Sequence, residues 1–114
     1  MADDVVLIDV ADGSKRVMNN TKLYAKLLGK FKDDSNLKDL ESALASGDME
    51  KAKSAVHTLK GLAANLSLTE LHKQSVEQES QIKAGSVNPA QLTILKDVFA
   101  KTLTEVDKVI AQYG

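Results

Sequence analysis

Residues 48–66 read DMEKAKSAVHTLKGLAANL, and their spacing decides the fold class. Met49, Ala52, Val56, Leu59, Ala63 and Leu66 fall on one stripe when successive residues turn by about 100°, the period of an amphipathic helix. Asp48 stands where an N-cap belongs, with Lys51 at the third helical position in place of the acid of a capping box. Gly47, immediately before it, stops the preceding segment as a glycine just past a helix does. The stretch therefore predicts a helix from Asp48 to about Leu66.

The same period extends in both directions. Upstream, from Asn19, Leu23, Tyr24, Leu27, Leu28 and Phe31 form one helical set, and Leu37, Leu40 and Leu44 form another. The two sets centre about 130° apart, so one straight helix cannot bury both. The expected break is Asp33-Asp34-Ser35-Asn36, a cluster of turn-prone residues. Downstream, Ser67 or Thr69 starts a helix that ends at Gly85, although a near-continuous join through Leu66–Leu68 also fits. Asn88-Pro89 opens the last helix, with Asn at the cap and Pro at the first helical position. Its stripe is Leu92, Leu95, Phe99, Leu103, Val106, Ile110 and Tyr113. Val5-Val6-Leu7-Ile8 would suit a strand, but no second β-branched run exists to pair with it, so an N-terminal arm or short helix is expected. The sum is an all-α chain, an antiparallel four-helix bundle with a short N-terminal arm or helix, forming one domain over residues 1–114.

Composition agrees and excludes several functions. The 114 residues are 43% hydrophobic and 4% aromatic without Trp, so the core is built of Leu, Val, Ile and Ala. Fifteen basic and 16 acidic residues nearly cancel, leaving no electrostatic footprint for nucleic acid or an anionic membrane. Absence of cysteine excludes disulfides and thiolate metal sites. The Met1-Ala2-Asp3-Asp4 start is acidic where a signal peptide is basic, and Val5–Ile8 is too short for a membrane span. A cytoplasmic monomer is expected.

Chemistry concentrates at His57-Thr58-Leu59-Lys60-Gly61. On the helical wheel His57 lies about 130° from the centre of the apolar stripe, toward solvent. Gly61 is one turn above it, Lys53 one turn below, Lys60 to one flank and Ala64 beside them. Gly in a helix interior costs roughly 1 kcal/mol relative to Ala, and nothing in the pattern requires Gly61. A missing side chain beside an exposed imidazole lets another surface approach closely. Neutral imidazole is a nucleophile near neutral pH, and an ammonium at i+3 suits a phosphoryl group placed on it. No Gly-rich phosphate loop is present, and no Ser or Asp is patterned to orient the ring. These features describe a carrier of a group supplied by its partners.

Ala55-Val56-His57-Thr58-Leu59-Lys60-Gly61-Leu62-Ala63-Ala64-Asn65-Leu66 resembles the signature of the histidine-containing phosphotransfer (HPt) domains of bacterial phosphorelays. Lys22-Leu23-Tyr24, Leu28, Phe31, Leu40-Glu41-Ser42-Ala43-Leu44 and Gly47-Asp48 extend the resemblance to about residues 8–113. It implies a four-helix bundle with His57 as the phosphoaccepting residue, Lys60 as the phosphate-stabilising cation and Gly61 as the gap that admits a receiver domain. Response-regulator receivers and a hybrid sensor kinase are the implied partners. No cofactor is expected on this chain, since magnesium is held by the receiver. Lys53 and Ala64 are expected at the contact surface.

Two departures stand out. Ser67 occupies a position where the family usually has glycine. The helix after it is unusually polar, with Gln74, Ser75, Gln78 and Glu79, and either Gln74 or Gln78 is expected to reach toward the His57 ring, Gln78 being taken as the binding residue. His72 reads as a solvated side chain. Two other functions fit the same motif: a helical module that docks receivers or kinases without carrying phosphate, and the phosphoaccepting domain of a chemotaxis-type kinase, which would need further domains beyond Gly114.

Overall fold

The structure, a computed structural model, describes residues 7–114, so Val5 and Val6 of the expected arm lie outside the described residues. The described residues form six helices and no strand: α1 (Val10–Lys15), α2 (Thr21–Phe31), α3 (Asn36–Ser46), α4 (Met49–Asn65), α5 (Thr69–Ala84) and α6 (Pro89–Tyr113). Local chemistry sets most boundaries. Asn20 Oδ1 accepts the Leu23 N–H and Asp48 Oδ1 the Lys51 N–H, each satisfying a backbone donor that the helix start leaves open. Gly47 and Gly85 take left-handed φ values of 78° and 72°, ending α3 and α5 where an L side chain would be strained. The break between α2 and α3 falls at Lys32–Ser35, where Asp34 accepts both the backbone and the side-chain N–H of Asn36.

The helices pack in a defined order. α4 lies against α3 on one side and α5 on the other, α5 against α6, and α6 against α2, while α1 rests on α2. Leu28, Leu40, Leu59, Leu68, Leu71 and Leu95 are fully buried among them, with Val56 and Val106. Each such side chain contributes about 1.5–3 kcal/mol by leaving water. Phe31 and Phe99 close one part of this core as a tilted pair with centroids 5.6 Å apart.

The buried face of α6 differs from the expected stripe. Leu95, Val98, Thr102, Val106 and Val109 are buried, whereas Leu92, Phe99, Leu103, Ile110 and Tyr113 are only partly covered. The helix is rolled so that Thr102 faces inward, its hydroxyl donating to the Val98 carbonyl. That bond satisfies the polar group without a neighbour and lets it replace an apolar residue.

The turn between α4 and α5 explains the first departure from the HPt pattern. Ser67 has φ +57°, a left-handed conformation that glycine adopts without penalty. Here the serine is held there by its surroundings. Its hydroxyl donates to Asp12 Oδ2 at 2.6 Å, and its carbonyl accepts the Asp9 N–H at 2.9 Å. The Tyr24 hydroxyl donates to the neighbouring Leu66 carbonyl. The short helix α1 thus clasps the end of α4, with Tyr24 beneath it.

Candidate functional site

His57 projects from the interior of α4 with its side chain 69% exposed. The apolar side of the helix, Ala52, Ala55, Val56, Leu59 and Ala63, is buried against α3 and α5, which turns the imidazole outward. Gly61 is exposed one turn on, and a Cβ added there would meet no heavy atom within 4 Å. Nothing among the described residues therefore requires its missing side chain. The other glycine inside a long helix, Gly29, would bring a Cβ to 3.7 Å from Ile110 Cδ1, an ordinary packing contact.

The ring's neighbour is Glu79 of α5, not Gln74 or Gln78. Glu79 Oε2 lies 2.9 Å from His57 Nδ1, and Oε1 accepts a hydrogen bond from Lys60 Nζ at 2.6 Å. Lys83, one turn along α5, places its ammonium 3.9 Å from Oε2. The carboxylate is only 6% exposed, so its charge is compensated by these three groups at the boundary of the core. Burial alone would raise the Glu79 pKa, but hydrogen bonds from Lys60 and His57 and the charges of Lys60 and Lys83 outweigh it. The carboxyl is held below its ordinary value and is ionised at neutral pH. An ionised carboxylate can only accept, so Nδ1 carries the ring hydrogen. In the neutral imidazole this leaves the lone pair on Nε2, which has no partner among the described residues.

Gln78 points elsewhere. It is fully buried in the core, and among the described residues neither its amide nitrogen nor its amide oxygen has a hydrogen-bond partner; Ser75 Oγ is likewise unpartnered. Gln74 is engaged with Glu70 and Gln91. The polar stripe of α5 was visible in the sequence, but its roles divide by angle: Ser75 and Gln78 face the centre, Gln74 faces α6, and Glu79 faces α4. The signal that separates them is Lys83 at i+4 from Glu79, matching a second lysine, Lys60, on the neighbouring helix.

Lys53 lines a shallow groove of about 310 Å³ with Glu50, Ser54, His57, Glu79 and Lys83. Ala64, partly exposed, borders a different hollow with Asp12, Arg16, Ser67 and His72, whose lining does not include His57. On the opposite flank of α4, Leu62, Asn65 and Leu66 join Val17, Leu27 and Phe31 around a larger hollow of about 750 Å³, rimmed by Arg16 and Lys30. No helix among the described residues is long and apolar enough to cross a membrane.

The site combines a solvent-facing imidazole, a carboxylate that fixes its tautomer, two ammonium groups on that carboxylate and open backbone beside it. Comparison with known proteins places residues 26–110 within a family model described as Hpt domain. Neither a curated protein nor a solved structure gives a significant match.

Proposed function

Since the chain belongs to the histidine-containing phosphotransfer family, whose members carry phosphoryl groups in two-component phosphorelays, interact with receiver domains and kinases and are carriers rather than kinases, we propose that His57 is the residue it uses. Nε2 takes the phosphoryl group from a receiver aspartate and gives it to another receiver. The single observation that carries this reading is the His57–Glu79 contact. It leaves the exposed nitrogen as the one with a free lone pair, pointing where a partner can reach it.

The remaining roles follow from position. Lys60, one turn from His57 and 27% exposed, is close enough to serve the phosphoryl group as well as Glu79. Gly61 gives the receiver's loops room, an interpretation supported by the open space where a Cβ would lie. Lys53 and Lys83 at the groove rim attract the acidic pocket of a receiver, where magnesium would be held, and this chain supplies no cofactor. The hollow lined by Val17, Leu27, Phe31, Leu62 and Leu66, on the other flank of α4, offers a separate apolar contact. The domain acts as a cytoplasmic monomer spanning residues 1–114. The packing order and the short connections between α4, α5 and α6 support an antiparallel four-helix bundle, with α2 and α3 sharing one corner and α1 as an N-terminal clasp.

The experiment is transfer of label from a phosphorylated receiver to wild type, His57→Gln and Gly61→Gln. Wild type should be labelled rapidly, His57→Gln not at all, and Gly61→Gln slowly with its fold intact. A module that only docks its partners would bind a receiver equally well as wild type and as His57→Ala while neither takes label, and that outcome would replace this reading.

A further inference from the structure

Glu79 is nearly buried, so it must keep a cationic partner in every state of the site. With His57 unmodified its nearest cationic partner is Lys60, at 2.6 Å, with the Lys83 ammonium farther off at 3.9 Å. A phosphoryl group on Nε2 brings about two negative charges beside the same ammonium and competes for it. We propose that Glu79 then exchanges one cation for another: Lys60 turns to the phosphoryl oxygens, and the phosphorylated ring, protonated at Nδ1, becomes the counter-charge of Glu79. The inference rests on His57 being the phosphorylated residue.

The chemistry balances without an extra proton. The Nε2 lone pair forms the N–P bond while the O–P bond of the receiver's aspartyl phosphate breaks, its electron pair staying on the released carboxylate. Nδ1 keeps the hydrogen it already donates to Glu79, so the product is a phosphoimidazolium. A cationic imidazolium ring is a better leaving group than its neutral counterpart, since the N–P bond then breaks to give a neutral imidazole. By holding the Nδ1 proton in place, Glu79 keeps the phosphoryl group ready for the next acceptor. It is a positioning residue, acting on the phosphoryl group only through the ring.

Other charges face the same groove. Lys60, Lys53 and Glu50 come from α4, and Lys83 comes from α5 beside Glu79. The two acids and three lysines leave the site cationic overall, which favours the incoming phosphoryl group. Of them only Glu79 touches Nδ1.

The test uses the intact chain phosphorylated with phosphoramidate, and follows loss of phosphohistidine by phosphorus NMR across pH. A carboxylate contact favours the charged form of its partner by about one pH unit or more. Wild type should therefore lose its phosphoryl group about tenfold faster than Glu79→Gln at neutral pH. The acceleration of decay on acidification should begin about one unit lower in Glu79→Gln, and Glu79→Asp should recover part of the difference. Coincident profiles for wild type and Glu79→Gln would overturn the inference while leaving the carrier role standing. Failure of the wild type to take up phosphoryl at all would overturn both. Should Glu79→Gln not fold, nitrogen NMR of phosphorylated wild type decides alone. Nδ1 should remain protonated at a pH where free phosphohistidine has lost that proton, and loss at the same pH as the free compound would refute the exchange.

Discussion

Gly61→Ala separates a glycine kept for a partner from one kept for packing. Gly61 lies in the interior of α4 with helical backbone, and a Cβ there meets nothing within 4 Å. The substitution therefore brings no clash and buries no new surface. What remains is the difference in helix propensity, about 1 kcal/mol in favour of Ala. For a chain of this length that corresponds to an increase of roughly 4 °C in Tm. Thermal and urea denaturation followed by circular dichroism give both quantities, and the urea slope should not change, because the surface exposed on unfolding is almost the same. Receiver-dependent labelling of the same variant should be slower than wild type. A more stable protein that transfers more slowly shows that the helix gives up stability at this position for access. An unchanged or lowered Tm would refute the reasoning, because it would mean that Gly61 meets a steric constraint within the chain.

Gly13 provides the opposite case: its added Cβ would lie 2.4 Å from the Tyr24 ring, so Gly13→Ala should cost about 1–3 kcal/mol in urea denaturation. Tyr24→Phe leaves the Leu66 carbonyl without its hydroxyl donor and should cost about 1 kcal/mol. Burial, with the charges of Asp9 and Asp12, pushes the Tyr24 phenol up to about 12. Its folded-state pKa is raised, so it contributes stability that is present below pH 10, its ordinary value, and is lost as pH rises toward 12. Denaturation at alkaline pH should show that loss in wild type and not in Tyr24→Phe. Glu79 has the reverse sign. Its pKa is lowered from 4.5, so its contribution is present above that value and lost as pH falls through the lower folded value. Acid titration of stability should accordingly be shallower in Glu79→Gln than in wild type.

Features set by neighbouring residues could be read directly from the sequence. Gly47, Asp48, Gly85 and Asn88-Pro89 mark helix ends because the chemistry of capping involves only a few adjacent positions. The outward direction of His57 was legible for the same reason, since the apolar stripe of its own helix fixes it. Glu79 was not. Its contact with His57 joins residues 22 apart on different helices, and the rotation of α5 about its axis decides which of four polar side chains meets the imidazole. The apolar content of α5 is too low to fix that rotation by periodicity. The roll of α6 was hidden similarly, because Thr102 satisfies its hydroxyl on its own backbone and sits where pattern alone would place an apolar residue. Ser67 kept its left-handed backbone through a hydrogen bond to Asp12, 55 residues away, which no local rule contains.

The most direct test of the central claim is the position of the phosphoryl group after brief incubation with a phosphorylated receiver and magnesium. Peptide mapping under alkaline conditions, which preserve phosphohistidine, should find one acid-labile phosphoryl group on His57 and none on His72. Label on His72 or on a hydroxyl side chain, or a chain that stays unmodified beside a receiver that holds its phosphate, would contradict it.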